Sequence, residues 1–260
     1  METTQIMKPW DLKGKTALVT GGSRGIGKAI VTELLALGAE VVFTARGAGE
    51  VVAVEQELKE LYPGVSGLAA DVSDAVHRKQ MLECAAEKWG RLDILVNNAG
   101  INIRKASNEY TSNEFMQVLD INLLAPFELC RTLFSLLVKG KGASVINVSS
   151  VAGSFDVQTG APYGMSKAGL IQLSRNLANE WASHGIRVNT VSPWFTETPL
   201  TDGLLSNPDR LQAITSKTPL RRIAQSEEMA AAVAFLAMDK SSYITGHNLS
   251  VDGGATIRLL

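Results

Sequence analysis

Residues 20–27 read Thr-Gly-Gly-Ser-Arg-Gly-Ile-Gly, between the apolar run Thr16-Ala17-Leu18-Val19 and a helix-forming stretch that begins at Lys28. A strand, a glycine turn and a helix in immediate succession restrict the possible folds more than any other segment. In such a unit the glycines let the backbone turn tightly and approach a phosphate. The free N–H groups and the dipole of the following helix favour an anion there. Gly21, Gly25 and Gly27 suit positions where a Cβ would obstruct the phosphate or the helix–sheet contact. The spacing is Thr-Gly-x-x-x-Gly-x-Gly, and by itself it also fits a strand-to-helix turn with no ligand.

The rest of the chain repeats this unit. Apolar runs at 16–20, 40–45, 65–70, 94–97, 144–149, 187–192 and 248–251 predict strands, mostly continuous as parallel strands covered on both faces require. Periodic segments at 25–37, 50–61, 74–89, 112–138, 161–183 and 226–238 predict helices between them. Ser73 and Ser226 are the expected N-caps, the latter with Glu227 and Glu228 in its first turn. The alternation predicts an α/β fold, a doubly wound parallel sheet of seven strands with helices on both faces, in one domain. Residues 1–9 read as a loose tail. Residues 193–218, with Pro193, Pro199 and Pro208, read as an irregular insertion placed to close over a substrate.

Composition removes several classes. The chain is 45% apolar and 20% charged with a net charge of −1, so a polyanion partner is not indicated. Cys84 and Cys130 fall in helical segments and read as buried free thiols. His77, His184 and His247 are scattered without ligand spacing, so no metal site is expected. Lys8, Asp11, Lys13 and Lys15 interrupt any apolar leader, and the run 230–238 is too short to span a bilayer. A cytoplasmic location is the expectation.

A second group of residues lies downstream. Tyr163 and Lys167 are one helical turn apart in Ala-Pro-Tyr-Gly-Met-Ser-Lys, and Ser150 closes Val-Ile-Asn-Val-Ser-Ser before them. With the glycine turn, Asn97-Asn98-Ala99-Gly100 and Asn122 in Asp-Ile-Asn-Leu, the set resembles the short-chain dehydrogenase/reductase family from about Leu12 to Gly254. Within it, Trp10-Asp11-Leu12, Glu180-Trp181-Ala182 and Leu220-Arg221-Arg222 are similar to tropinone reductases and their relatives. The resemblance implies a Rossmann-type fold and hydride transfer with a nicotinamide cofactor. It implies Tyr163 as proton donor, Ser150 as the group that hydrogen-bonds the carbonyl, and Asn122 as support for a water relay to Lys167. The Lys167 ammonium and an oxidised nicotinamide are then expected to lower the phenol pKa from about 10 towards neutrality.

At the end of the second strand Ala45 stands where an acid would bind a ribose 2′-hydroxyl, and Arg46 follows. With Arg24 in the glycine turn this favours a 2′-phosphate, hence NADP(H). By resemblance Ser23, Ile26, Asp71, Val72, Asn98, Ala99, Gly100, Pro193, Thr196 and Thr198 line the cofactor, along with Tyr163 and Lys167. Trp194 replaces a glycine usual in the family. Either a positive φ strains the indole there, or the loop is relaxed and Trp194 walls the substrate site. Ser150, Phe155, Tyr163, Trp194 and Leu204 are the candidate substrate contacts, with Asn102, Ile103, Arg104, Val151, Gln158, Phe195 and Leu200 as further lining. Glu197 could attract a cationic amine or face solvent. The expected activity is NADPH-dependent reduction of a small, cyclic or bicyclic ketone. The alternatives are a 3-oxoacyl-thioester reductase, a polyol dehydrogenase, and a non-catalytic NADP-binding regulator. The resemblance also implies a homodimer or homotetramer built through 112–138 and 161–183, with no nucleic-acid or membrane partner.

Overall fold

Alternate residues of the strands feed two separate cores. In the first strand Ala17 and Val19 belong to one and Leu18 to the other, and all three are fully buried. The computed structural model describes residues 9–257; of the tail expected at 1–9, only Pro9 falls within them. Strands β1 (Thr16–Thr20), β2 (Glu40–Ala45), β3 (Val65–Ala69), β4 (Ile94–Asn97), β5 (Ser144–Val148), β6 (Arg187–Pro193) and β7 (Asn248–Val251) form one parallel sheet. Their order is β3-β2-β1-β4-β5-β6-β7. The chain therefore winds outward in one direction from β1 and in the other from β4. The crevice beyond the C-terminal ends of these two strands is where such sheets take ligands.

The helices are α1 (Gly25–Ala36), α2 (Ala48–Lys59), α3 (Ala75–Trp89), α4 (Ser112–Leu119), α5 (Ala125–Val138), α6 (Ala161–Trp181), α7 (Asp202–Leu205), α8 (Pro208–Lys217) and α9 (Ser226–Ala237). Ile30, Leu34, Val51, Leu58, Val233 and Leu236 of α1, α2 and α9 pack on the face that includes Ala17 and Val19. Met81, Leu129, Leu133 and Leu177 of α3, α5 and α6 cover the face that includes Leu18. At the base of the sheet the buried Asp93 carboxylate accepts from the backbone N–H of Thr16 (2.9 Å) and of Lys141 (2.6 Å), fixing the starts of β1, β4 and β5 together.

Several local expectations are corrected. Asp74, not Ser73, caps α3, accepting from the N–H of Val76 (2.7 Å); the Ser73 hydroxyl instead donates to Asp71 (2.7 Å). Gln225, not Ser226, caps α9 in a reciprocal pair with Glu228, and the Ser226 hydroxyl donates to the Glu197 carbonyl (3.1 Å). The helical stretch Ser112–Val138 is long and apolar enough to cross a bilayer, yet half of that window is buried inside the fold. It is not one α-helix: a π-turn at Asp120–Leu124 separates α4 from α5 and carries Asn122. Residues 193–218 are not irregular, because α7 and α8 form within them and pack against each other. Cys130 is buried as expected, but Cys84 is partly exposed.

Candidate active site

The glycine turn is tied to the end of β4. The Thr20 hydroxyl accepts from the N–H of Asn98 (3.0 Å) and Ala99 (3.1 Å), and the Asn98 amide donates back to the carbonyls of Thr20 (3.0 Å) and Gly21 (3.1 Å). A Cβ at Gly27 would collide with the Gly21 carbonyl and the Asn98 amide, so α1 approaches the turn only with glycine there. Beyond this seam opens a cleft of about 430 Å³. Gly21, Ser23, Arg24, Gly25, Ile26, Gly27, Arg46, Asp71, Val72, Asn98, Ala99, Gly100, Tyr163, Lys167, Pro193, Thr196 and Thr198 all line it. So do Thr44, Ala70, Ile101, Ile121 and Thr201, which the sequence did not single out.

The wall near β2 fits a dinucleotide carrying an extra phosphate. The Thr44 hydroxyl is buried there without a hydrogen-bond partner among the described residues. Ala45 leaves the ribose position without an acid, and Arg24 and Arg46 supply cationic forks. Arg46 is not free of acids, however. Its charge acts on Asp71, whose pKa lies below the ordinary carboxylate value. Burial favours the neutral acid, but hydrogen bonds from the Ser73 hydroxyl and N–H, with Arg46 and His77, outweigh it.

The opposite wall belongs to α6. A buried polar ladder docks this helix on the sheet: the Asn97 amide donates to Asn147 (2.8 Å), Asn147 to the Ser174 hydroxyl (2.8 Å), and the Thr190 hydroxyl to the same oxygen (2.8 Å). One turn from Tyr163, the Lys167 ammonium donates to the Val148 carbonyl (2.9 Å) and stands 5.6 Å from the centre of the Tyr163 ring. Burial lowers the Lys167 pKa to about 8. Ser150, in extended backbone just past β5, accepts from the Ala152 N–H (3.1 Å), and its hydroxyl acts to lower the Tyr163 pKa. The Tyr163 pKa lies above its ordinary value: burial raises it, and the Ser150 hydroxyl and the Arg104 charge only partly offset that. The depression expected at Tyr163 is thus not built into the protein's own charges.

Asn122 is fully buried. Its carbonyl oxygen accepts from the Ile101 N–H (2.9 Å), and its amide donates to the Ile101 carbonyl (2.9 Å) and the Ser166 hydroxyl (3.1 Å). Ser166 in turn donates to the Tyr163 carbonyl (2.8 Å). Asn122 therefore joins the loop after β4 to the first turns of α6.

On the substrate side, Trp194 has no positive φ. Of the two alternatives, the relaxed loop is the one observed. The Trp194 N–H donates to the Val251 carbonyl (3.2 Å), its indole N–H to the Thr218 hydroxyl (3.0 Å), and its ring meets Phe195 edge-on at 4.7 Å. Ser150, Tyr163, Trp194 and Leu200 line the cleft, whereas Phe155 and Leu204 do not, nor do Asn102, Ile103, Arg104, Val151, Gln158 and Phe195. Phe155 follows the turn at Val151–Gly153 and is 51% exposed, and Leu204 lies on α7 outside the lining. Glu197 is exposed outside the cleft and accepts from the Gln225 amide (3.0 Å). Thr44 was legible as the one hydroxyl inside the apolar run of β2. Thr201, whose hydroxyl accepts from the Thr198 N–H (3.1 Å) and donates to the Thr196 carbonyl (2.6 Å), gave no such signal.

Residues 21–256 match the family profile described as enoyl-(acyl carrier protein) reductase. A tropinone reductase homolog of Arabidopsis thaliana is 43% identical over 251 residues, which are 96% of this chain and 95% of the homolog. Among solved structures, the NADP active-site complex of Pseudomonas aeruginosa RhlG is 36% identical with a TM-score of 0.90, covering 96% of this chain and 99% of that one. A gluconate 5-dehydrogenase of Burkholderia cenocepacia, in complex with NADP and tartrate, is 28% identical with a TM-score of 0.91, covering 96% and 98% respectively.

Proposed function

The chain belongs to the short-chain dehydrogenase/reductase family, and we propose that it reduces a small ketone to an alcohol with NADPH as the preferred cofactor. The observation that carries this reading is the meeting of Ser150, Tyr163 and Lys167 on one wall of the cleft whose other end presents Arg24, Arg46 and the unpartnered Thr44 hydroxyl. NADPH, when bound, supplies the hydride. The protein's part is to hold the carbonyl and protonate its oxygen. The Ser150 hydroxyl orients the carbonyl oxygen beside the Tyr163 phenol, which donates its proton as the alkoxide forms. A phenol kept protonated by burial is in the state that donation requires. Lys167, close to neutrality in its proton affinity, restores the proton to Tyr163. Asn122 keeps the two walls in register through Ile101 and Ser166.

Trp194 and Leu200 supply the apolar wall against which a small ring packs, and α7 and α8 form the segment that closes over it. Assembly runs through the long helices, where Met116, Leu124, Phe127 and Met165 leave large apolar side chains between 40% and 53% exposed. NADPH consumption, followed by absorbance with a panel of cyclic ketones that includes tropinone, tests the reading. Turnover with at least one ketone, faster with NADPH than with NADH, is the expected result. NADPH binding without consumption against the whole panel would overturn it in favour of a regulator.

A further inference from the structure

We propose that Thr201 is a positioning residue for the cofactor: its hydroxyl holds residues 196–198 so that the Thr198 hydroxyl stands over the glycine turn and donates to the diphosphate of the dinucleotide. The inference rests on the cleft taking NADP(H), as read above, and adds a residue through which that binding is set.

Thr201 lies just before α7, where a threonine ordinarily caps a helix by accepting from its first N–H groups. It makes no such bond to α7. Its hydroxyl turns back onto the segment that leaves β6. It meets the Thr196 carbonyl at 2.6 Å, the Thr198 N–H at 3.1 Å, and the Thr198 hydroxyl and carbonyl each at 3.0 Å. A hydroxyl has one proton to give and two lone pairs. The Thr198 carbonyl already accepts from the N–H of Thr201 (2.9 Å) and of Asp202 (3.0 Å). The Thr196 carbonyl is not used by the bridge to Ala224, which runs through the Phe195 carbonyl and the Glu197 N–H. The Thr201 proton therefore goes to Thr196, by the shortest of these contacts, and its lone pairs take the Thr198 N–H and O–H.

The Thr198 hydroxyl is thus a donor whose proton rests on Thr201. It can turn that proton to a ligand without stranding Thr201, which keeps the Thr198 N–H. Its place suits one part of the cofactor. A Cβ at Gly25 would stand 3.3 Å from Cβ and Cγ2 of Thr198, so the threonine sits directly over the first residue of α1. Both threonines are partly exposed, and both line the same cleft as Gly25. The free N–H groups at the start of a helix favour a phosphate. A hydroxyl donor on the opposite side completes a clamp, and a phosphate oxygen accepts from it in a charge-assisted bond. Without the Thr201 hydroxyl, the Thr198 N–H and the Thr196 carbonyl lose a partner they share, and the segment over Gly25 loses its fixed shape.

Calorimetric binding to the full chain, with three ligands, tests this. NADPH is compared with 2′-phospho-ADP-ribose, which keeps the diphosphate and lacks the nicotinamide, and with adenosine 2′-phosphate, which lacks the diphosphate. Thr201→Val keeps the side-chain shape and removes the hydroxyl, whereas Thr201→Ser keeps the hydroxyl. Thr201→Val should weaken NADPH and 2′-phospho-ADP-ribose by about tenfold and adenosine 2′-phosphate by less than about twofold. Thr201→Ser should restore most of the loss, and Thr198→Val should show the same pattern across the ligands as Thr201→Val. In the Thr198→Val background, Thr201→Val should cost nothing further, because the one residue acts through the other. No loss in Thr201→Val, an equal loss for all three ligands, a loss confined to NADPH, or full additivity in the double variant overturns the proposal and leaves the dinucleotide reading standing. Absence of NADPH binding by the wild type overturns that reading, and the proposal falls with it.

Discussion

Replacing Lys167 by methionine should make the protein more stable while removing its activity. Lys167 is 4% exposed, and its pKa falls from 10.5 to about 8 on burial. A fall of roughly 2.5 units corresponds to about 3.4 kcal/mol of unfavourable burial of the ammonium. Methionine has similar length and no charge, so it removes this term. It also leaves the Val148 carbonyl without its 2.9 Å donor, a loss of about 1 kcal/mol. The net expectation is a gain of roughly 2 kcal/mol at pH 7, or an increase in Tm of about 4–8 °C for a chain of this size. A lysine whose folded pKa lies below its unfolded value binds fewer protons when folded. Wild-type stability should therefore climb between pH 8 and 10.5 relative to the variant. Below pH 8 the penalty is complete; near pH 10.5 it has vanished. Urea unfolding of both proteins without cofactor, at pH 7 and pH 10, measures the difference. A Lys167→Met protein less stable than wild type at pH 7, or a gain of equal size at both pH values, would refute the reasoning.

Arg46→Ala should weaken NADPH by about tenfold to a hundredfold relative to NADH, from the loss of a charge-assisted phosphate contact of roughly 1.5–3 kcal/mol; equal losses for both cofactors in fluorescence titrations would show that Arg46 faces Asp71 alone. Trp194→Phe keeps an aromatic wall but deletes the donor to Thr218, so amide exchange in α8 should quicken and rates across the ketone panel should shift. Unchanged exchange would mean that the indole does not hold the segment. In the wild type, α7 and α8 should exchange faster than α6 without ligand and become protected with NADPH and a substrate analogue, and slow exchange already present in the free protein would make 202–217 a fixed part of the fold.

The seven strands and the convergence of the cofactor candidates were legible because both depend on short-range order. In a parallel sheet, residues at the C-terminal ends of successive strands must come together, so Gly21, Arg46, Asp71, Asn98 and Pro193 meet in one cleft whatever the connecting helices do. The π-turn at Asn122 was hidden because apolar periodicity runs on either side of it. Phe155 and Leu204 were misplaced for a different reason: their positions follow from the path of a 3-10 turn and a four-residue helix, which no local pattern specifies. The burial of the Tyr163 hydroxyl was not legible, because motif spacing reports which charges are near and says nothing of how deeply a hydroxyl is buried.

The central claim is that Tyr163 protonates a ketone while a hydride passes from NADPH to its carbonyl carbon. NADPH deuterated at the transferring nicotinamide carbon, incubated with a turned-over ketone, tests this directly by mass spectrometry of the product. Wild type should place one deuterium on the carbinol carbon. Tyr163→Phe, which keeps the ring over which the Lys167 ammonium stands, should bind NADPH with similar affinity and yield no labelled alcohol. Label transfer by Tyr163→Phe at a rate near that of wild type, or an unlabelled alcohol from wild type, would contradict the account.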